Sequence, residues 1–232
     1  MSILITGNRG FIGSGLKGDG IDLKDGVDIL TYRATKRYDV VIHTAALVSV
    51  TESMKDLAGY WRTNVDGTVN MLRQHPEAHF IYLSTAAAYG PGEDHKVGDH
   101  LYPTSPYAKS KIVGELAVKY FAKTYCILRL TNVVGDGERG EPNVFQVFKK
   151  ADILPIYGDG LQTRDFISVD DVRAVIMEMA HLKTQGTYNV GSGKSKTILE
   201  VARTFDKPVR FFPEREGEIR RFGVADAIHP HS

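Results

Sequence analysis

Along the first 135 residues, short apolar runs alternate with longer stretches whose apolar positions recur every three or four residues. Ser2 to Thr6, Tyr38 to His43, Ala78 to Leu83 and Thr124 to Leu130 are compact apolar runs of strand length. Gly7 to Gly13 follows the first run at once, and Gly18 and Gly20 should stop the helix after it within about two turns. Gly20-Ile-Asp-Leu23 is then a second strand with Asp22 at its end. A helix is predicted from about Lys55 to Arg73, with Tyr60, Trp61, Val65, Val69 and Leu72 apolar. Another runs from Tyr107 to about Lys123, with Ile112, Val113, Leu116, Val118 and Phe121 apolar. Strands alternating with helices predict an α/β fold with a doubly wound parallel sheet of Rossmann type.

Beyond Gly135 the alternation loosens into a loop over 136–142, a short helix Val144 to Lys150 and an extended piece Leu154 to Tyr157. A turn at Gly158-Asp-Gly160, a helix Val172 to His181 and a strand Gly186 to Val190 follow. The tail from Lys207 is extended and carries a charge cluster over 214–221, which on composition alone is a solvated face. This divides the chain into residues 1–135 and a small C-terminal lobe, 136–232, interleaved with the sheet.

Composition narrows the class. At 232 residues with a formal charge of +1 and both signs interspersed, nothing points to nucleic acid or a membrane surface. The single cysteine, Cys126, sits in an apolar run, which excludes a disulfide framework and fits a reducing compartment. The chain begins directly as a strand and has no apolar run of membrane-spanning length, so a cytoplasmic protein is expected. No metal site is expected.

The candidate chemistry lies at strand ends. A buried strand turning into a helix through Gly7, Gly10 and Gly13 is the arrangement that receives a dinucleotide's phosphates, although the spacing is G-x-x-G-x-x-G. Asp22, 15 residues after Gly7, would bind ribose hydroxyls and repel a 2′-phosphate, favouring NAD over NADP. An aspartate that merely caps a turn reads equally well there, with Lys24 close by. Asp28 and Ile29 are expected near the adenine ring. Thr44, Ala45 and Ala46 leave room for a cofactor across the sheet edge, and Ser84 and Thr85 place hydroxyls at the end of another strand. Asn64 lies inside a helix, where an amide needs a partner. Ser105 and Pro106 predict the start of the helix that stacks Tyr107 and Lys111, four apart, on one face. A nearby ammonium favours the phenolate and makes a tyrosine able to exchange a proton near neutral pH.

Taken in order, these motifs resemble the extended short-chain dehydrogenase/reductase family, in particular its nucleotide-sugar epimerases and dehydratases. The resemblance rests on Thr6 to Gly13, His43 to Ala46, Thr63 to Thr68, Leu83 to Thr85 with Tyr89-Gly90, and Tyr107 with Lys111. Downstream it rests on Asn132 to Gly135, Gly158 to Phe166 and Tyr188 to Gly193. It implies NAD held by Gly7, Arg9, Gly10, Phe11, Ile12, Gly13, Ala45, Ala46, Asn64 and Ser84. Tyr107 would be the acid/base, Lys111 would bind the nicotinamide ribose, and Thr85 would hydrogen-bond the reacting hydroxyl. Ser49, Thr85 and Asn132 would contact substrate, Tyr157 would stack on the nucleotide base, and Arg164 and Arg215 would clamp a diphosphate, which reverses the bland reading of the charged tail. Dehydratases and decarboxylases of the family carry a carboxylate directly after the catalytic threonine, whereas Ala86-Ala87 follow Thr85 here. The chain ends soon after Asp226, which implies a small substrate lobe. The expectation is therefore NAD-dependent epimerisation of a nucleotide sugar, at C4 of a UDP-hexose through a 4-keto sugar, by a homodimer built on the helices near 55–73 and 107–123. The alternatives are a reductase of a 4-keto-deoxysugar nucleotide, which the short region before Asp28 favours, and a non-catalytic NAD-binding sensor or scaffold.

Overall fold

The computed structural model describes residues 1–137, 142–215 and 219–230. In chain order the first half holds β1 (Ile3–Thr6), β2 (Asp19–Ile21), β3 (Val40–His43), α1 (Val50–Ser53), α2 (Leu57–Trp61), α3 (Gly67–Gln74), β4 (His79–Thr85), β5 (Gly92–His95) and α4 (Pro106–Phe121). The second half holds β6 (Thr124–Leu130), β7 (Asn132–Val134), α5 (Val144–Lys150), β8 (Leu154–Tyr157), β9 (Thr163–Ser168) and α6 (Val169–Leu182). It closes with β10 (Gly186–Val190), β11 (Ser195–Thr197), α7 (Ile198–Arg203), β12 (Val209–Phe212), β13 (Phe222–Val224) and β14 (Ala227–Ile228).

Seven strands form one sheet in the order β14-β10-β6-β4-β3-β1-β2, every pair parallel. The runs are continuously apolar because both faces are covered. On one face Ile3, Ile5, Ile42, Ile81 and Leu128 pack against Val172, Val175 and Ile176 of α6. On the other, Leu4, Val41, Phe80 and Ile127 pack with Met71 and Leu72 of α3 and Val118 of α4. Strand order reverses between β1 and β3, so the connections leaving these two neighbouring strands run to opposite sides and leave a crevice at their carboxyl ends, the usual ligand position in such sheets. The second half contributes β10 and β14 to this sheet, while β8 with β12, and β7 with β9 and β11, form small sheets beside it.

Several boundaries differ from expectation for physical reasons. The two-turn helix after the glycine loop is a single 3-10 turn, Gly13–Gly15, with Leu16 already extended. Four glycines between 13 and 20 give that stretch little helical propensity. The second strand ends at Ile21, and Asp22 instead caps a 3-10 turn over Leu23–Asp25 by accepting from the Lys24 amide. The helix expected over 55–73 is interrupted: Ser49 caps α1, Asp56 caps α2, and a π turn over Arg62–Asp66 precedes α3. β4 spans His79–Thr85, with Ser84 and Thr85 at its carboxyl end as expected. α6 begins at Val169 because Ser168 caps it by accepting from the Asp171 amide.

Candidate active site

The crevice is lined by the carboxyl ends of β1, β3 and β4 and by the first turns of α4. At the end of β1, Gly7 has φ +70°, and a β-carbon there would lie 2.8 Å from the backbone of Ala45. A β-carbon on Gly13 would lie 2.2 Å from the Gly7 carbonyl oxygen. The two glycines therefore exist to let β1, the turn and the β3 loop close on one another. Thr44 Oγ1 donates to the carbonyls of Thr6 (2.6 Å) and Gly7 (3.2 Å), stitching the two strand ends together. Asn8 Oδ1, in the same turn, is a buried acceptor with no partner among the described residues. A tight glycine turn at the point of strand reversal, walled by Ala45 and Ala46 and carrying an orphan acceptor, fits a dinucleotide.

Asp22 accepts from the amides of Arg9 (3.0 Å) and Lys24 (2.8 Å), so its carboxylate borders the glycine turn as well as capping the next one. Arg9 also pairs with Asp25 at 3.2 Å on the surface. Asp28 accepts from the Leu30 amide, and Ile29 is packed into the core beside Gly67 rather than facing the crevice.

α4 forms because Ser105 accepts from the Ala108 amide and Pro106 fills the first helical position. Its i, i+4 geometry sets Tyr107 and Lys111 on one face. Tyr107 is half-buried, edge-on to Tyr60 with ring centroids 6.5 Å apart. Lys111 is buried, with Nζ 4.2 Å from the centre of the Tyr82 ring. Burial lowers its ammonium pKa to about 7, against a smaller upward pull from Glu115. Thr85 closes β4, and its hydroxyl accepts from the Ala87 amide at 3.2 Å.

Asn64 has the partners its position demanded. Its amide bonds both backbone groups of Leu47 at 2.9 Å and donates to Ser110 Oγ at 2.9 Å, and Ser110 donates to the Tyr107 carbonyl at 2.7 Å. The π turn is what turns Asn64 toward them. It thereby ties the loop after β3 to the first turn of α4.

Sequence reading missed two buried networks beneath the site. In the first, the Ala45 amide donates to Thr6 Oγ1 (3.2 Å), which lies 2.8 Å from His43 Nδ1; His43 Nε2 lies 3.0 Å from Thr68 Oγ1. Thr68 spends its one proton on the Asn64 carbonyl at 2.7 Å, so Nε2 must donate to it. Burial, reinforced by Lys111, lowers the His43 pKa to about 3, so the ring is neutral and Nδ1 accepts from Thr6. The line runs one way, from the β3 loop to the π turn, with each proton assigned.

In the second network Arg129 and Glu115 form a buried pair, Nε to Oε1 at 2.9 Å and Nη2 to Oε2 at 2.7 Å. Ser84 Oγ donates to Glu115 Oε1 at 2.6 Å, which commits that hydroxyl to the underside of the site. Arg129 Nη1 reaches Tyr89 Oη, Tyr89 donates to Asn189, and Asn189 donates to Asp226. Two signals could have found it: Glu115 follows Lys111 by four on the same helix face, and Arg129 interrupts an apolar strand, where a charge needs a partner.

The remaining candidates lie in the C-terminal half. Asn132 Nδ2 donates to the Asp165 carbonyl at 3.1 Å. The Asp165 carboxylate accepts from the amides of Ser192 and Gly193 and so shapes the turn after β10. Arg164 Nη1 donates to the carbonyls of Thr163 and Ile219. Arg215 lies over the Tyr157 ring at 3.8 Å, and Phe212 stacks on Tyr157 at 5.5 Å. Glu216, Gly217 and Glu218 lie outside the described residues.

Known proteins share this fold. The family model for the NAD dependent epimerase/dehydratase family matches residues 15–191. A UDP-glucose 4-epimerase of Halalkalibacterium halodurans is 29% identical, covering 94% of this chain and 85% of its own. A dTDP-glucose 4,6-dehydratase of Streptomyces griseus is equally similar, 29% identical over 96% of this chain and 85% of its own. The structure of Thermus thermophilus UDP-glucose 4-epimerase in complex with NAD superposes with a TM-score of 0.82 at 25% identity, covering 97% of this chain and 91% of that one. With its parallel sheet, its glycine turn at the strand reversal and its Tyr107–Lys111 helix, the chain belongs to the NAD dependent epimerase/dehydratase family.

Proposed function

We propose that the protein epimerises a nucleotide sugar at C4, with a UDP-hexose as substrate. What supports this reading is Tyr107 and Lys111 one turn apart on α4 and Thr85 at the end of β4, with Ala86 and Ala87 following Thr85. A dehydration would call for a carboxylate there, and the following turn is Ala86, Ala87 and Ala88, of which Ala86 and Ala88 are buried. NAD, when bound, would accept a hydride from the sugar carbon and return it to the other face. Gly7, Arg9, Gly10, Phe11, Ile12 and Gly13 would hold its phosphates, Asp22 and the turn at Asp28 its adenosine end, and Ala45 and Ala46 would leave it room.

Tyr107 takes the proton of the C4 hydroxyl and gives it back after the 4-keto sugar has turned over. Lys111 stabilises the phenolate. The Thr85 hydroxyl, which accepts from its own turn, has its proton available for the sugar oxygen. Ser49 and Asn132 lie on the sugar side, Tyr157 meets the base, and Arg215 meets the diphosphate, since Arg164 Nη1 is occupied by backbone carbonyls. Leu57, Trp61, Leu116, Tyr120 and Phe121 are exposed on α2 and α4, more apolar surface than a free helix pair presents, which supports a homodimer through these helices. No described helix is long and apolar enough to cross a membrane.

The test is turnover of UDP-glucose and UDP-N-acetylglucosamine by purified protein, wild type beside Tyr107→Phe, with the cofactor content measured. Epimerised product with NAD retained through purification is expected, and the variant should lose about 10²- to 10⁴-fold in rate. Loss of water from the sugar, consumption of NADH with a 4-keto sugar, or a Tyr107→Phe enzyme of wild-type rate would each refute the assignment.

A further inference from the structure

The glycine turn of this chain lacks the helix that ordinarily braces it. After Gly10 the backbone makes one 3-10 turn and enters β2 at Asp19. In a continuing α-helix the carbonyl of Phe11 would accept from the Gly15 amide and that of Ile12 from the Leu16 amide. Here the Leu16 amide goes to Gly13, and the Gly15 amide reaches Ile12 only at 3.4 Å. The Phe11 carbonyl thus lacks its helical donor and that of Ile12 has only a long one, both in a partly buried turn where backbone acceptors call for partners.

A side chain from the far end of the sequence supplies them. Arg173, on α6, donates from Nη2 to the Phe11 carbonyl at 2.7 Å and from Nε to the Ile12 carbonyl at 3.1 Å. Nη2 also reaches Ser14 Oγ at 3.3 Å, and Nη1 pairs with Asp170 at 2.9 Å. The fork geometry of a guanidinium is what lets one side chain serve two successive carbonyls. Gly15 makes the approach possible, because a β-carbon there would lie 2.3 Å from Arg173 Nε. The turn and the arginine therefore fit each other from both sides.

We propose that Arg173 is a positioning residue for NAD: it replaces the missing helical turns and holds residues 10–14 in the shape that receives the dinucleotide's diphosphate. It also brings a cation to the floor of the turn, where an anion is to bind. The inference rests on the family's use of NAD. It concerns how this chain, with its shortened first crossover, keeps that site.

The experiment is calorimetry of NAD and of ADP-ribose with the full chain freed of bound cofactor, for wild type, Arg173→Ala, Arg173→Lys and Gly15→Ala, with UDP as the control ligand. Arg173→Ala should raise both dissociation constants at least tenfold, a change of about 1.4 kcal/mol, and leave that of UDP unchanged. Added ethylguanidinium should restore binding. Arg173→Lys should not, because one ammonium lacks the fork. Gly15→Ala, whose methyl displaces the guanidinium, should reproduce the loss with Arg173 present, and it decides the matter if Arg173→Ala does not fold. Unchanged NAD affinity in a folded Arg173→Ala or Gly15→Ala protein overturns the proposal, as does parallel loss of NAD and UDP binding without rescue. Wild-type protein that binds UDP but no NAD would remove the premise itself.

Discussion

The neutral, oriented His43 makes the acid stability of this protein predictable. Its pKa is lowered from 6.5 to about 3, because both ring nitrogens are enclosed between Thr6 and Thr68 with Lys111 nearby. In the unfolded chain the same ring takes a proton near pH 6.5. The group is neutral in both states above that value and contributes nothing to pH dependence there. As pH falls below 6.5 only the unfolded state gains the proton, so folding loses about 1.4 kcal/mol per pH unit until about pH 3. Between pH 7.5 and 5 the loss is about 2 kcal/mol. Urea unfolding at these two pH values, for wild type and His43→Gln, measures it. Glutamine offers one donor and one acceptor in place of the two ring nitrogens and does not titrate. His75 and His79, also lowered by burial, remain in both proteins and cancel in the comparison. The wild-type midpoint should fall further than the variant's by roughly 0.7–1 M, at a slope of about 2–3 kcal/mol/M. Equal pH dependence in the two proteins would refute the neutral, one-way network, as would an NMR spectrum showing an Nδ1–H tautomer.

Other outcomes follow from the same contacts. Glu115→Gln leaves the buried Arg129 guanidinium without its counter-charge and should cost about 3–5 kcal/mol in urea unfolding, while also removing the upward pull on Lys111. NAD should bind more tightly than NADP in fluorescence titration, since the Asp22 carboxylate borders the turn; tighter NADP would give the pocket to Lys24 or Arg9. Arg215→Ala should weaken UDP about 10- to 150-fold by calorimetry, at about 1.5–3 kcal/mol for a hydrogen bond to a charged group. Light scattering at micromolar concentration should give the mass of a dimer, and monomer alone would return the exposed face of α2 and α4 to solvent.

Local patterning was sufficient for the central strands of the sheet. β1, β3, β4 and β6 are short, mainly apolar runs, as strands buried on both faces are, with Arg129 the charged interruption in β6. The Tyr107–Lys111 pair and its cap were equally legible, because helix spacing and capping act within a few residues. What the sequence could not disclose depends on residues far apart meeting in space. The 55–73 stretch reads as one amphipathic helix, yet the bonds from Asn64 to Leu47 and Ser110 select a π turn inside it. His43 looks like the last residue of a strand, and its tautomer and low pKa exist only because Thr6 and Thr68 close on it. The glycines at 18 and 20 announced a shortened helix, and the structure reduces it to a single 3-10 turn. That Arg173, some 160 residues later, completes it is decided by the parallel sheet, which brings α6 under the same strand ends.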